Sequence, residues 1–300
     1  MVVSQLFNGL SVGSILLLAS LGLAITFGLM GVINMAHGEF IMIGAYTTYV
    51  IQNIFRAWLP ESLFDAYYFV SLIAAFVVAG AVGLLMERLI IRHLYRRVLD
   101  SLLVTWGISL VLQQMARSIF GSSNVSVDAP SFLDQNLHVA ETVSFSYKRL
   151  FILMICILCV SVWGIIMYRT RHGRNIRATM QNRTMAAGLG VNTKMIDAGT
   201  FAIGSGIAGI AGCAITFLGP IGPTIGTTYI VDTFMTVVVG GVGRIIGSVI
   251  GAAVIGLGGT SFEFFSSASL GKVCIFAVVI LILQFRPKGI FSVSSRALDE

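Results

Sequence analysis

Residues 5–29 pass without one charged side chain, and further apolar runs follow at 38–55, 66–91, 101–118, 150–168, 195–218, 228–243, 245–262 and 270–285. A helix needs about 20 such residues to cross the hydrocarbon layer, and there only helices and closed barrels satisfy their own backbone. The runs therefore predict an all-α integral membrane protein, a bundle of about 8–9 transmembrane helices, forming a single domain over residues 1–300. Composition agrees: 11% of residues are charged, against about 25% in soluble domains. The first thirty residues carry no basic n-region and no small-residue cleavage site, so the first run is expected to remain as a span.

A net charge of +6 raises the question of nucleic acid, but the basic residues sit at the ends of apolar runs rather than along one face, a pattern set by topology. Three clusters stand out: Arg88, Arg92, Arg96 and Arg97; then Arg169, Arg171, Arg174, Arg177, Arg183 and Lys194; then Arg286, Lys288 and Arg296. Placing all three in the cytoplasm is self-consistent with the span count. It puts the N-terminus outside, the C-terminus in the cytoplasm, and the polar loops 56–65 and 119–149 on the external side, the latter holding Asp128, Pro130, Asp134 and Glu141. Cys156, Cys159, Cys213 and Cys274 all lie in apolar runs, without the polar flanks of a metal site, and read as packing residues.

Two regions break the apolar pattern, near 28–40 and 218–245. The first, GLMGVINMAHGEF, brings Asn34, His37 and Glu39 together. Ionisable groups inside a span are costly and face a cavity, a partner or the interface. Glu39 reads either as a first-turn acid favouring the start of the next helix or as a contact in a solute pathway. Thr105, Ser109 and Gln113 are spaced to share a helix face, as inter-helix glue or as a polar lining, and Asp232 follows the second break, LGPIGPT. Broken helices lining a cavity are the usual way transporters tolerate irregular backbone at membrane depth. The many glycines, with Gly243, Gly247 and Gly251 at four-residue intervals, predict close helix packing. No nucleophile, metal cluster or paired acid and base has supporting spacing, so no catalytic or metal site is expected.

Residues 170–196 form a basic segment between two spans. Its core places Met185, Ala186, Ala187, Gly188, Leu189 and Gly190 in a short helix and break, with Asn192-Thr193 starting the next helix. By itself this reads equally as a docking knob for a cytosolic partner or as a basic helix held by anionic lipid.

The stretches GLAITFGLMGVINMAHGEFIMIGAY, MAAGLGVNTKMID, VVVGGVGRIIGSVIGA and QFRPKGIF resemble the permease subunits of bacterial ABC importers of the branched-chain amino acid and urea class, nearly end to end. That resemblance implies a bacterial inner-membrane importer working by alternating access. Its parts are a second homologous permease, two cytosolic ATPases that dock on the 185–196 segment, and an external solute-binding protein, for which 119–149 is a candidate surface. The segment LVTWGISLVLQQMARSIFG with NVSVDAP is most similar to urea-type permeases, implying urea or a short amide, with a branched-chain amino acid as the alternative. The chain holds no G-x-x-x-x-G-K-[ST] pattern, so ATP would be used by the partner subunits and no cofactor is expected in this chain. A passive urea channel is the rival from another class, for which the basic segment 170–194 is larger than needed.

Overall fold

The computed structural model describes residues 2–291 except 96, 135, 141, 142, 244 and 288. Arg96, Glu141, Lys288 and Arg296 thus lie outside the described residues. The chain runs through α1 (Val2–Met30), α2 (His37–Trp58), α3 (Tyr67–Leu89), α4 (Val98–Phe120), α5 (Tyr147–Arg169), α6 (Arg171–Gln181), α7 (Arg183–Gly188), α8 (Thr193–Ile215), α9 (Ile225–Gly240), α10 (Ile245–Phe265) and α11 (Ala268–Phe285). Nine of these match the nine apolar runs, and the architecture is that of an integral membrane helical bundle. Among the described residues, six stretches, built on α1, α3, α5, α8, α10 and α11, are long and apolar enough to cross a membrane unaided. The others depart for identifiable reasons: α9 has 16 residues, while α2 and α4 carry their polar groups inside the helix.

The bundle is organised around α8, which packs on α1, α2 and α3. Lipid gives no hydrophobic drive between helices, so association rests on close backbone approach at small residues. Gly204 meets Gly22 of α1, and Gly209 sits where a Cβ on Gly44 of α2 would strike its carbonyl. The helix α10 closes on α9 in the same way, Gly247 on Gly240 and Gly251 on the Thr236 backbone. Gly243, the first of the three glycines at four-residue intervals, lies in the turn between α9 and α10 at φ +84° and approaches Gly28 of α1. All four cysteines are unpaired, with Cys156 and Cys213 buried in the packing.

The segment read as an irregular loop from 119 to 149 contains an antiparallel hairpin, β1 (Asn136–Ala140) with β2 (Val143–Ser146). Its earlier part is fixed to the bundle through Asp128. The Asp128 carboxylate pairs with Arg56, while its carbonyl accepts from Tyr67 and, at 3.3 Å, from Gln52. Val125 and Ile221 form an isolated backbone bridge, at 2.9 and 2.8 Å, that lays this loop over the second break.

Candidate functional site

The first break is a return of the chain into the bundle. After Met30 the backbone turns at Gly31, whose φ of +63° is the left-handed conformation that glycine tolerates, and residues 31–36 run back beside α1. Nε2–H of His37 then donates to the Ala19 carbonyl at 3.0 Å. Ala19 stands eleven residues before Met30, about 16 Å along the helix at 1.5 Å per residue, so α2 begins opposite the middle of a spanning helix.

Irregular backbone at that depth must find partners inside the protein. The Ala36 amide donates to Asn34 Oδ1 at 3.1 Å, and the Met35 amide donates to Thr105 Oγ1 at 3.0 Å. Thr105 belongs to a helix built inside out. Along α4 the buried positions include Ser101, Thr105, Ser109 and Gln113, whereas Leu103, Trp106, Leu110, Val111 and Ile119 face outward. Such a helix fits with its apolar side against lipid and its polar stripe against the break.

Glu39 completes the arrangement. The carboxylate is 1% exposed, and Oε1 accepts from Ser109 Oγ at 2.7 Å and from Gln113 Nε2 at 2.8 Å. Glu39 is the acid in the first turn of α2, whose N-cap residue is Ala36 without a side-chain cap bond, and its carboxylate points across to α4. Its second oxygen, Oε2, and Asn34 Nδ2 are buried without a hydrogen bond among the described residues.

The second break meets the first. Between α8 and α9 the chain leaves helical form near Gly219 and Pro220, and Gly226, in the first turn of α9, packs on Gly38 and on Oε2 of Glu39. Beside this junction lies a cavity of about 290 Å³, lined by Asn124, Ile215, Leu218, Thr224, Thr228 and Tyr229 among others.

Six of the residues singled out from sequence, Asn34, His37, Glu39, Thr105, Ser109 and Gln113, therefore converge on the first break. Asp232 does not join them. It sits on α9 with Oδ2 3.9 Å from Lys272 Nζ of α11, on the outer side of the bundle. Gly38, Gly226 and Asn124 were not legible as site residues, nor was Lys272 as the partner of Asp232. The lone Lys272 in an otherwise apolar run was the one available signal. Among the described residues no cluster of His, Cys, Asp or Glu could hold a metal ion.

The 170–196 segment is α6, α7 and the start of α8. Asn182 and Asn192 cap the latter two, accepting from the amides of Met185 and Met195 at 2.9 and 3.1 Å. Of the six docking candidates, Ala186 is buried while Met185 and Leu189 are 68% and 86% exposed. Gly188 ends α7, and Gly190 turns the chain at φ +85°.

Residues 5–283 match the family model described as the permease component of branched-chain amino acid transport systems. The chain belongs to that family. The permease is 32% identical over 298 residues to the high-affinity branched-chain amino acid transport system permease protein LivH of Escherichia coli K12, covering 95% of this chain and 94% of that one. It is 31% identical over 296 residues to BraD of Pseudomonas aeruginosa, with the same coverage. A probable branched-chain amino acid permease of Methanocaldococcus jannaschii is 26% identical over 300 residues, 95% of this chain and 91% of the other. No solved structure matches the permease. These relatives lend no support to the urea-type reading of 103–121, and they favour the branched-chain amino acid alternative.

Proposed function

We propose that this chain is a single-domain membrane subunit of an ATP-driven importer that moves branched-chain amino acids across the bacterial inner membrane. The observation that carries this reading is similarity along almost the whole chain to permeases whose names state that substrate. The assembly consists of this subunit, a second homologous permease, two cytosolic ATPases that use the ATP, and an external binding protein. The chain itself holds no cofactor.

Orientation follows the basic end. Arg88, Arg92, Arg169 and α7 lie at one end of the bundle and Asp128 with its clamps at the other, which supports a cytoplasmic α7 and an external 121–146. The N-terminus is then outside and the C-terminus inside. The exposed Met185 and Leu189 dock on an ATPase. From α7 the chain enters α8, which runs through the core to the second break, so displacement of α7 reaches the Gly38–Gly226 junction along one rigid helix.

That junction is the gate of the pathway. It closes where α2 and α9 begin, with Glu39, Asn34 and the α4 stripe lining its buried side. The free Glu39 Oε2 and Asn34 Nδ2 are an acceptor and a donor open to new partners when the junction parts. The adjacent cavity, about 290 Å³, lies at the small end of ligand-site volumes and suits a single amino acid on the external side. Co-purification from cells expressing the neighbouring transport genes tests the assembly. Two ATPases and a leucine-binding protein are expected with this chain, and its isolation without any ATPase would favour a passive channel.

A further inference from the structure

A second buried polar cluster lies between α7 and the bundle. Arg183, the first residue of α7, meets both carboxylate oxygens of Asp197 in α8: Nη1 is 3.3 Å from Oδ1, and Nη2 pairs with Oδ2. Asp197 is fully buried. The same guanidinium stands 5.1 Å from the centre of the Tyr95 ring. Tyr95, in the turn after α3, donates its hydroxyl to Glu87 Oε1 at 2.8 Å, and Arg92 Nη2 approaches Glu87 Oε2 at 3.5 Å. Glu87, near the end of α3, is 1% exposed. Burial, with the carboxylates of Asp197 and Glu87 nearby, pushes the Tyr95 hydroxyl above its usual range.

One side chain of α7 is thus forked onto α8 and stacked on a ring that is itself bonded to α3. The helix α7 has six residues, too few to persist alone, and is held otherwise by the Asn182 cap, by its packing on α6 and by the buried Ala186. Beyond the cluster, α3 and α8 stay in contact, with Ser205 seated over Gly83 and the Ala75 carbonyl against Gly209. A planar guanidinium fork transmits orientation as well as charge, which a lysine ammonium does not.

We propose that Arg183 is a positioning residue: its fork to Asp197 and its stacking on the Glu87-bonded Tyr95 make α7, α8 and the end of α3 move as one body when an ATPase displaces α7. This rests on the reading of α7 as the ATPase docking helix. Glu87 and Asp197 are buried acids in membrane-crossing helices, and the linkage accounts for both. Loosening it leaves α7 engaged with the ATPase but free to slip against the bundle.

The test uses the whole importer in proteoliposomes, comparing solute accumulated per ATP hydrolysed in Arg183→Lys, Asp197→Asn and Tyr95→Phe. A Met185→Cys background reports docking by cross-linking to the ATPase. Arg183→Lys and Asp197→Asn are expected to keep the cross-link and to hydrolyse ATP within about twofold of the parent, while transport per ATP falls about tenfold. Tyr95→Phe, which keeps the ring under Arg183, is expected to lower the ratio about two- to fivefold. A purely structural role would reduce assembly, hydrolysis and transport together at an unchanged ratio, and that result overturns the linkage. Absence of the Met185→Cys cross-link overturns the docking reading and the linkage with it, whereas a normal cross-link with a normal ratio overturns the linkage alone.

Discussion

A Cβ built on Gly226 would stand 2.7 Å from both the carbonyl carbon and the carbonyl oxygen of Gly38. The starts of α2 and α9, far apart in the chain, therefore meet backbone to backbone at these two glycines. Neither neighbour is a flexible side chain that could step aside. Gly226→Ala is expected to cost about 1–3 kcal/mol by overpacking and to reduce uptake at least tenfold. Thermal unfolding in detergent and solute uptake in cells check both parts.

Glu39→Gln keeps the volume and an oxygen for Ser109 and Gln113, so the protein should insert and melt within a few degrees of the parent. Transport should nevertheless fall at least tenfold, because the second carboxylate oxygen at the junction is lost. Glu39→Ala strands the Ser109 and Gln113 donors and should destabilise the fold by about 1–3 kcal/mol for each donor left unmade. Paired melting and uptake measurements separate the two variants, and full transport by Glu39→Gln would remove the gating role.

Thr105 is predicted to hold the returning backbone. In Thr105→Val the half-buried Met35 amide loses its acceptor, at a cost toward the lower end of about 1–3 kcal/mol. Thr105→Ser keeps the hydroxyl and should recover most of that stability. Chemical denaturation of the two purified variants measures the difference.

The pair of Asp232 and the half-exposed Lys272 is predicted to matter mainly through charge balance. Either single neutral substitution, Asp232→Asn or Lys272→Met, leaves one charge within an apolar span, at about 2.5–3.5 kcal/mol on insertion scales. The double variant removes both charges. Membrane-inserted yield should drop in each single variant and return in the double, as read by quantitative immunoblotting of membranes.

Period and hydropathy were enough to place nine helices, because a span is a local property of its own residues. They also put Thr105, Ser109 and Gln113 on one face, since a four-residue interval fixes that face whatever lies opposite. What lies opposite is tertiary. The Glu39 carboxylate looks like a first-turn acid of α2 when read along the chain, and only the return of residues 31–36 beside α1 carries it to α4. The junction of Gly38 and Gly226 was equally hidden, because each glycine resembles the many others used for helix packing. Arg183 was counted with the positive residues that set topology, and nothing local revealed that Asp197 would meet it. The hairpin at 136–146 was missed because its strands are only five and four residues long.

Gly188→Pro tests the docking helix from the other side. Proline removes the amide that closes the last turn of α7 and clashes with the preceding turn, while the exposed surroundings of Gly188 leave the bundle untouched. Insertion should be normal, and both transport and solute-stimulated ATP hydrolysis should be lost.

The most direct measurement of the central claim is accumulation of labelled leucine and labelled urea by cells whose sole importer contains this chain. Saturable leucine uptake that isoleucine and valine compete, with no urea uptake above background, is the predicted result. Urea accumulation without leucine transport would contradict it.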